Sequence, residues 1–294
     1  MKFARFVTGD QRVLHGVVQD HAVFPIEQPP PGGLQDWLSL GASTLRDIGE
    51  EALRSRGSLP LPLAAVRLLA PLDHPAKFLG LGGNYQSHLR EIEHLGIPAP
   101  QTQVWFNKQT SCIAGPFDDV LLPSVSDSVD YEGELAVVIG RRCRKVPAQR
   151  AHEVIGGYMV CNDVSVREIQ RRSQTMTLGK SFDTHGPIGP WLVTPDEIAD
   201  PQRLSLRTWV NGELRQDGST SEMRYSIFEQ IAELSSVFTL LPGDILATGT
   251  PAGVAAAMRP PKFLKAGDVV TVEVQSVGRI ENRFIADTTG TKIA

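Results

Sequence analysis

The chain has 294 residues, of which 41% are hydrophobic and 21% are charged, as in an ordinary globular protein of one or two domains. Its formal net charge of −4 argues against nucleic acid or an anionic membrane surface as a partner. No apolar run approaches the roughly 20 residues needed to span a bilayer, and the opening stretch MKFARFVTGD lacks a signal-peptide core. Three widely spaced cysteines without a CxxC pattern are typical of reduced thiols, so we expect a cytoplasmic protein.

Short β-type runs fill the first 26 residues (KFARFV, RVLHGVV and AVFPI), and the polar stretch STLRDIGEEALRSR that follows reads as a helix. A proline-rich connector is predicted around residues 57–75. The glycine-dense FLGLGGNY then opens a longer region that is rich in strands, with few helices and no regular alternation of the two. This pattern favours an antiparallel or mixed β architecture over a doubly wound parallel sheet.

The segment GLGGNYQSHLREIEHLG, residues 80–96, begins with glycines but lacks the third glycine of GxGxxG and a regular βαβ context. It is therefore not predicted to bind a dinucleotide. Within its helical part, His88 and Glu91 lie three residues apart and can touch. Such a pair can orient an imidazole as a general base for water, although a solvated ion pair on an amphipathic helix has the same spacing.

Residues 130–140, DYEGELAVVIG, place Glu132 and Glu134 on one face of a predicted strand whose two faces both look buried. Two carboxylates roughly 6–7 Å apart in such a place repel each other and lose solvation. Asp163 ends the strand-like YMVCND and alone reads as a helix cap. The three acids together are hard oxygen ligands, which suit Mg²⁺, Mn²⁺ or Ca²⁺ better than Zn²⁺.

Three further segments carry polar groups that could serve a ligand. After Asp163, Ser165 and Glu168 fit a capping box that opens a short helix, on which Arg167 and Gln170 share a face. Lys180 lies among small and apolar residues in TLGKSFDTHGPIGPW, where an ammonium is most useful if it faces an anion. The stretch GDILATGTPAGV ends in a turn whose amides and threonine hydroxyls suit a carboxylate, without the GK[ST] of a P-loop.

In this order and spacing, DYEGELAVVIG, GYMVCNDVSVREIQ, GKSFDTHGPIGPW and LATGTPAGV resemble the fumarylacetoacetate hydrolase family over about residues 75–290. NYQSHLRE is similar to the upstream His–Glu segment of that family. The resemblance implies an α+β, mainly β fold, namely a mixed β-roll that usually forms a homodimer. It also implies a small N-terminal α/β domain over residues 1–70, followed by a catalytic domain over residues 71–294.

The resemblance also assigns roles to nine residues. Glu132, Glu134 and Asp163 match the divalent-metal ligands, normally for Mg²⁺ or Mn²⁺, with Ca²⁺ as a substitute in a crystal. The matched catalytic positions are His88 and Glu91, which activate water, and Lys180, which holds substrate oxygen and enolate charge. The substrate-contacting positions are Arg167, Gln170 and Thr250.

Three polar residues near these motifs receive no role at this stage. Lys108 is followed by Gln109, whereas many family members have a proline after the corresponding lysine. His185 stands where many relatives carry another residue. Asp130 shares a face with the two glutamates but matches no ligand position.

The expected function is a metal-dependent hydrolase that cleaves a C–C bond of a β-diketo acid of the acylpyruvate type through a metal-stabilised enolate, as in a catabolic pathway. The same site in this family also serves 2-oxo acid decarboxylases, tautomerases or isomerases, and hydratases. A protein that kept the fold and binds a metal or a sugar acid without catalysis is a third alternative. The presence of both His88 and Glu91 favours hydrolysis, because decarboxylation needs no activated water.

Overall fold

The computed structural model describes residues 1–27, 29, 32–55, 59–93, 96, 98–290 and 293. Its helices in chain order are α1 Gly33–Ser39, α2 Ala42–Arg54, α3 Gln86–Glu93, α4 Arg167–Gln170 and α5 Ile227–Val237. Its strands are β1 Lys2–Val7, β2 Val13–Gln19, β3 Ala22–Pro25, β4 Leu61–Pro62, β5 Arg67–Leu69, β6 Phe78–Gly82, β7 Val104–Lys108, β8 Ile113–Ala114, β9 Val120–Leu122, β10 Val129–Asp130, β11 Gly133–Ile139, β12 Ile155–Asn162, β13 Ser165–Val166, β14 Gly186–Val193, β15 Ser205–Val210, β16 Glu213–Ser219, β17 Ile245–Ala247, β18 Val269–Val274 and β19 Gly278–Ala286.

Most of these strands belong to one large mixed sheet in the order β4-β3-β2-β1-β14-β12-β11-β17-β6-β7, with β5 beside β1 and β8 beside β14. A second sheet has the order β16-β15-β18-β19-β9, and β10 pairs with β13. The predicted C-terminal hairpin is the antiparallel β18–β19 pair. This architecture confirms the predicted α+β, mainly β fold class. Among the described residues, there is no helix with the length and apolar character needed to cross a membrane.

The N-terminal strands extend the large sheet through β1, because Lys2 lies opposite Val193 and Phe3 opposite Leu192 of β14. The helix predicted for STLRDIGEEALRSR is α2, which ends at Arg54. The last residue of that predicted helix, Arg56, lies outside the described residues. The region predicted as a proline-rich connector, around residues 57–75, contains two short strands, since β4 pairs with β3 and β5 pairs with β1. Short apolar runs between prolines here complete a sheet edge. The division into two domains at residue 70 remains a prediction.

The strand that carries the glutamates lies at the centre of the large sheet. β11 pairs with β12 on one side and with β17 on the other, and all seven of its residues are buried. Leu135, Val137 and Ile139 belong to a core cluster that includes apolar side chains of the second sheet. Ala136 and Val138 belong to a different cluster on the opposite face. The two glutamates therefore lie at the start of a strand that is covered on both faces, Glu132 just before it and Glu134 within it, as the sequence indicated.

Candidate active site

The three predicted metal ligands lie together at one end of the large sheet. Glu132 precedes β11, Glu134 is its second residue, and Asp163 follows the last residue of β12. The Asp163 backbone N–H donates to the Glu132 carbonyl at 2.8 Å, which fixes the two strand ends relative to each other. One carboxylate oxygen from each residue lies within 4.8 Å of the others, and all three side chains are buried. Folding alone therefore assembles a cluster of hard oxygen donors.

The charges of this cluster are unequally compensated. Burial, together with the carboxylates of Asp163 and Glu132, raises the pKa of Glu134 well above its usual range. Burial also disfavours ionised Glu132, but Arg167 and Lys180 outweigh it and hold the pKa of that carboxyl well below its usual range. The Glu134 carboxylate accepts the Gly249 N–H at 2.8 Å. A divalent cation fits this donor set, because its charge would favour the ionised form of Glu134, which burial and the neighbouring carboxylates disfavour.

Two cations that the sequence singled out contact the cluster. Lys180, in a 3₁₀ turn, places Nζ 2.7 Å from Glu132 Oε2, 2.6 Å from Asp163 Oδ2 and 4.7 Å from the centre of the Phe106 ring. Arg167 reaches Glu132 Oε1 with Nη1 at 2.6 Å and Gln170 Oε1 at 3.0 Å. Its Nη2 is buried and has no hydrogen-bond partner among the described residues. Arg167 therefore still has an unused donor beside the carboxylates.

Lys108 belongs to the same cluster, although its sequence context gave it no role. Its fully buried ammonium lies 2.7 Å from Asp163 Oδ1 and also donates to the carbonyls of Lys180 and His185. Burial alone would lower the pKa of Lys108, but Asp163 raises it above its usual range. The absence of a following proline, which set Lys108 aside, concerns the backbone and does not affect this pairing. The sequence did offer one signal for this role, because Lys108 is the last residue of a strand, VWFNK, that is partly buried.

Asp130 is also buried, and its carboxylate pairs with Arg167. One carboxylate oxygen accepts Arg167 Nε at 2.8 Å, and both accept main-chain N–H groups of the segment around Ala255. The predicted capping box beside it is wrong. Helix α4 starts after Val166, and the Ser165 hydroxyl donates to the Asp163 carbonyl at 2.9 Å instead.

The predicted His–Glu pair is formed on α3. His88 Nδ1 lies 2.7 Å from Glu91 Oε1, and Glu91 Oε2 accepts the Gly253 N–H at 2.8 Å. Gly253 has a φ of +110°, and a Cβ there would lie 1.9 Å from the Arg215 carbonyl oxygen, so this close approach requires glycine. With the Glu91 carboxylate as acceptor, Nδ1 carries the imidazole proton and Nε2 is left with a lone pair.

The turn after β17 is fixed by a glutamine that sequence reasoning missed. The Gln216 side chain donates to Thr250 Oγ1 at 2.8 Å and to the Pro251 carbonyl at 2.9 Å, and it accepts the Gly133 N–H at 2.9 Å. The Thr250 hydroxyl donates to the Gly133 carbonyl at 2.8 Å. Gln216 thus ties the turn to the start of β11 across a long sequence separation, and no local motif marks it.

The site contains one cavity of about 500 Å³. Seven of the nine predicted site residues line it, namely His88, Glu132, Glu134, Arg167, Gln170, Lys180 and Thr250. The other two predicted residues, Glu91 and Asp163, contact members of this group from behind. The remaining wall is mostly apolar and consists of Leu81, Leu89, Ile92, Pro98, Pro100, Val104, Phe106, Met176, Val254 and Ala256, with glycines and polar residues between them. A small acid with an apolar portion fits such a cavity.

Comparison with known proteins identifies the family of this site. Residues 77–285 match the model described as fumarylacetoacetate (FAA) hydrolase C-terminal. The chain belongs to the fumarylacetoacetate hydrolase family. Residues 1–71 of this family member match a separate model, described as Rv2993c-like, N-terminal.

Relatives of this fumarylacetoacetate hydrolase family protein carry out different reactions. It is 42% identical over 258 residues to the mitochondrial oxaloacetate tautomerase FAHD2B of Bos taurus, covering 87% of this chain and 80% of the relative. A structure of maleylpyruvate hydrolase from Sphingobium sp. SYK-6 with manganese(II) and pyruvate aligns with a TM-score of 0.81 at 32% identity, covering 97% and 99% of the two chains.

A structure of 5-carboxymethyl-2-hydroxymuconate delta-isomerase from Mycobacterium smegmatis aligns with a TM-score of 0.78 at 35% identity, covering 98% of this chain and 100% of that one. The protein is therefore an enzyme of a metal-dependent superfamily whose members include hydrolases, isomerases and tautomerases. Its own carboxylate cluster has the donor chemistry to hold such a metal.

Proposed function

We propose that the protein is a divalent-metal-dependent hydrolase that cleaves a C–C bond of a β-diketo acid of the acylpyruvate type. The observation that carries the proposal is that the His88–Glu91 pair and the three-carboxylate cluster line, or directly support, the same cavity. Hydrolysis of a β-diketo acid needs both an activated water and a site that stabilises an enolate. This cavity offers residues for both.

The proposed metal site consists of Glu132, Glu134 and Asp163, with Mg²⁺ or Mn²⁺ as the resident ion. When bound there, the ion supplies Lewis-acid polarisation of the 2-oxo acid and stabilises its negative charge. The protein side chains supply the remaining positive charge. We call the end of the cavity that is lined by Glu132 and Glu134 the inner end. The donors available there for substrate oxygens are the Lys180 ammonium and the unused Nη2 of Arg167.

The water-activating role is assigned to His88. Glu91, which is itself held by the Gly253 N–H, keeps Nδ1 protonated, so that Nε2 can take a proton from water that attacks the distal carbonyl of the substrate. The C–C bond between that carbonyl and the neighbouring carbon then breaks. The electron pair of the bond goes to the pyruvate portion as its enolate, and protonation of that enolate gives pyruvate and a carboxylic acid. Gln170 and Thr250 complete the substrate-contacting wall in this proposal.

A second candidate is tautomerisation of oxaloacetate, because the 42% identity to a mitochondrial oxaloacetate tautomerase spans 87% of the chain. That reaction moves a proton between carbon and oxygen of a 2-oxo acid and needs no attacking water. The same carboxylate cluster and cations would stabilise the enolate that both reactions share.

A turnover screen separates the two candidates. Purified protein with Mg²⁺ or Mn²⁺ is incubated with acylpyruvates and with oxaloacetate; pyruvate release and the enol absorbance are followed separately. We expect pyruvate release from an acylpyruvate, and we expect His88→Gln to lower its rate by about 10²–10⁴-fold. His152→Gln, at an exposed histidine, is the matched control and should keep the wild-type rate. Enol–keto conversion of oxaloacetate without any acylpyruvate cleavage would overturn the hydrolase proposal in favour of the tautomerase.

A further inference from the structure

Among the residues that the structure describes, one cation of the cavity lining has no acidic partner. Arg171 is exposed and lines the cavity, yet none of the described acidic side chains forms an ion pair with it. The other two cations of the lining, Arg167 and Lys180, both pair with Glu132. The next residue, Arg172, pairs with Glu168 at 2.8 Å and is not part of the lining. Of two adjacent arginines, the one with a partner lies outside the cavity and the one without a partner lies at its wall.

The position of Arg171 relative to the carboxylate cluster follows from α4. Arg171 keeps right-handed helical angles at the C-terminal cap, and its N–H donates to the Arg167 carbonyl. The two arginines are therefore four residues apart on one helical face, with Cα atoms roughly 6 Å apart along the axis. Arg167 is buried against the cluster, whereas Arg171 is exposed. Arg167 thus lies in the buried part of the lining, the inner end of the cavity, and Arg171 lies in its solvent-exposed part, the outer end.

The cavity that Arg171 lines has both polar and apolar residues. The segment of Arg171 adds the exposed polar residues Ser173 and Gln174 to the lining. Apolar residues of the same lining include Leu89, Ile92 and Val104. An exposed guanidinium next to an apolar wall favours a ligand that has a hydrocarbon chain ending in an anion.

We propose that Arg171 binds a second, terminal carboxylate of the substrate, so that this enzyme prefers dicarboxylic β-diketo acids to acylpyruvates with a neutral acyl group. This inference rests on the proposed function, because it assumes that the 2-oxo acid portion binds at the carboxylate cluster. The acyl chain then runs along the apolar wall, and its terminal carboxylate reaches the guanidinium at the outer end. Arg171 is a specificity residue in this account and takes no part in bond cleavage.

The test compares two substrates that differ in one terminal group. Succinylpyruvate ends in a carboxylate, and the corresponding succinamoylpyruvate ends in a primary amide of nearly the same size. For the wild-type enzyme with Mg²⁺, kcat/KM should be about tenfold higher for the carboxylate, mainly through KM. Arg171→Gln should remove most of this preference by lowering kcat/KM for the carboxylate much more than for the amide, and Arg172→Gln should retain the preference. Raising the ionic strength should reduce it in the wild type, because the contact is exposed.

Outcomes of this comparison separate the inference from the proposed function. If both substrates are cleaved and Arg171→Gln retains the preference of the wild type, the specificity role is wrong and the hydrolase proposal stands. If the wild type cleaves both substrates equally well, the specificity role is also wrong and the hydrolase proposal also stands. If neither substrate is cleaved, the thermal midpoint with each compound and Mg²⁺ decides. If the carboxylate stabilises the wild type more than the amide does, and Arg171→Gln loses this difference, the inference is supported although hydrolysis has failed. If the carboxylate stabilises the wild type and Arg171→Gln equally, the inference is overturned.

Discussion

The inner and outer ends of the cavity differ in how far their polar groups are already paired within the protein. At the inner end, Lys180 and Lys108 both contact Asp163, and Arg167 contacts Glu132 and Asp130. At the outer end, Arg171 has no ion pair with any described residue. The inner end is thus held in place by folding, which suits the enolate stabilisation that both candidate reactions need. The outer end leaves a charge for the ligand, which suits recognition of one particular substrate.

Glu134 is the exception at the inner end, because no described cation forms an ion pair with it, whereas Glu132 and Asp163 both have such pairs. Glu134→Gln keeps an acceptor for the Gly249 N–H but removes a carboxylate that burial and two neighbouring acids disfavour. We expect metal-dependent turnover to fall by about a thousandfold or more, since loss of a ligand removes several kcal/mol of transition-state stabilisation. The metal-free variant should be at least as stable as the wild type, because the amide needs neither the ionised form that burial and the two neighbouring acids disfavour nor a proton to avoid it.

Turnover at saturating Mg²⁺ or Mn²⁺ and thermal midpoints with and without the ion measure both effects. Glu153→Gln, at an exposed glutamate that pairs with Arg150, is the control and should change neither. Full turnover by metal-stripped wild-type enzyme, or a variant that still gains stability from Mg²⁺ as the wild type does, would contradict the assignment of this ligand.

A smaller effect is expected when a paired cation is removed from the inner end. Lys108→Met leaves the Asp163 carboxylate with one partner fewer in a fully buried place, which should lower the free energy of unfolding by about 3–5 kcal/mol in the absence of metal. A divalent ion at Asp163 would compensate part of the lost charge. We therefore expect Mg²⁺ to stabilise Lys108→Met more than it stabilises the wild type.

Denaturant unfolding with and without Mg²⁺ gives these free energies. Lys77→Met is the matched control, because Lys77 also pairs with a buried aspartate, Asp244, at 2.8 Å, and neither residue belongs to the cavity. Its loss of stability should be the same in both conditions. If Mg²⁺ acts equally on the two lysine variants, Lys108 is a structural residue without a link to the metal site.

The same contrast explains which parts of the site the sequence could predict. Glu132 and Glu134 follow from strand periodicity, and His88 and Glu91 follow from helical spacing, because these relations act over a few residues. Lys108 meets Asp163 across 55 positions, and Gln216 meets Gly133 across 83, so their roles depend on strand pairing that local patterns do not encode. The predicted capping box is wrong for a different reason, because the Ser165 hydroxyl donates to the carbonyl of Asp163 two residues before it, and α4 starts after Val166. The fold class could be predicted because it depends on the pattern of whole segments.

The smallest expected effect concerns a buried histidine behind the inner end. His185 Nε2 donates to the Leu121 carbonyl at 2.8 Å, whereas Nδ1 is buried without a partner among the described residues, so a second proton would have no acceptor. Burial lowers the pKa of His185 from 6.5 to about 4. Between these pH values the unfolded chain binds a proton that the folded protein does not, so acidification through this window lowers the free energy of unfolding by at most about 3 kcal/mol.

His185→Gln keeps a donor for the Leu121 carbonyl and removes the titration. Its free energy of unfolding should therefore fall less steeply between pH 6.5 and pH 4 than that of the wild type, with His152→Gln as the exposed control. His15, whose pKa burial also lowers to about 4, is present in all three proteins and contributes equally to their slopes. Denaturant unfolding at several pH values measures the difference. If the free energies of unfolding of His185→Gln and the wild type change in parallel with pH, His185 gains its proton at the same pH in the folded and the unfolded protein. The packing behind Lys108 would then be looser than the contacts of the inner end imply.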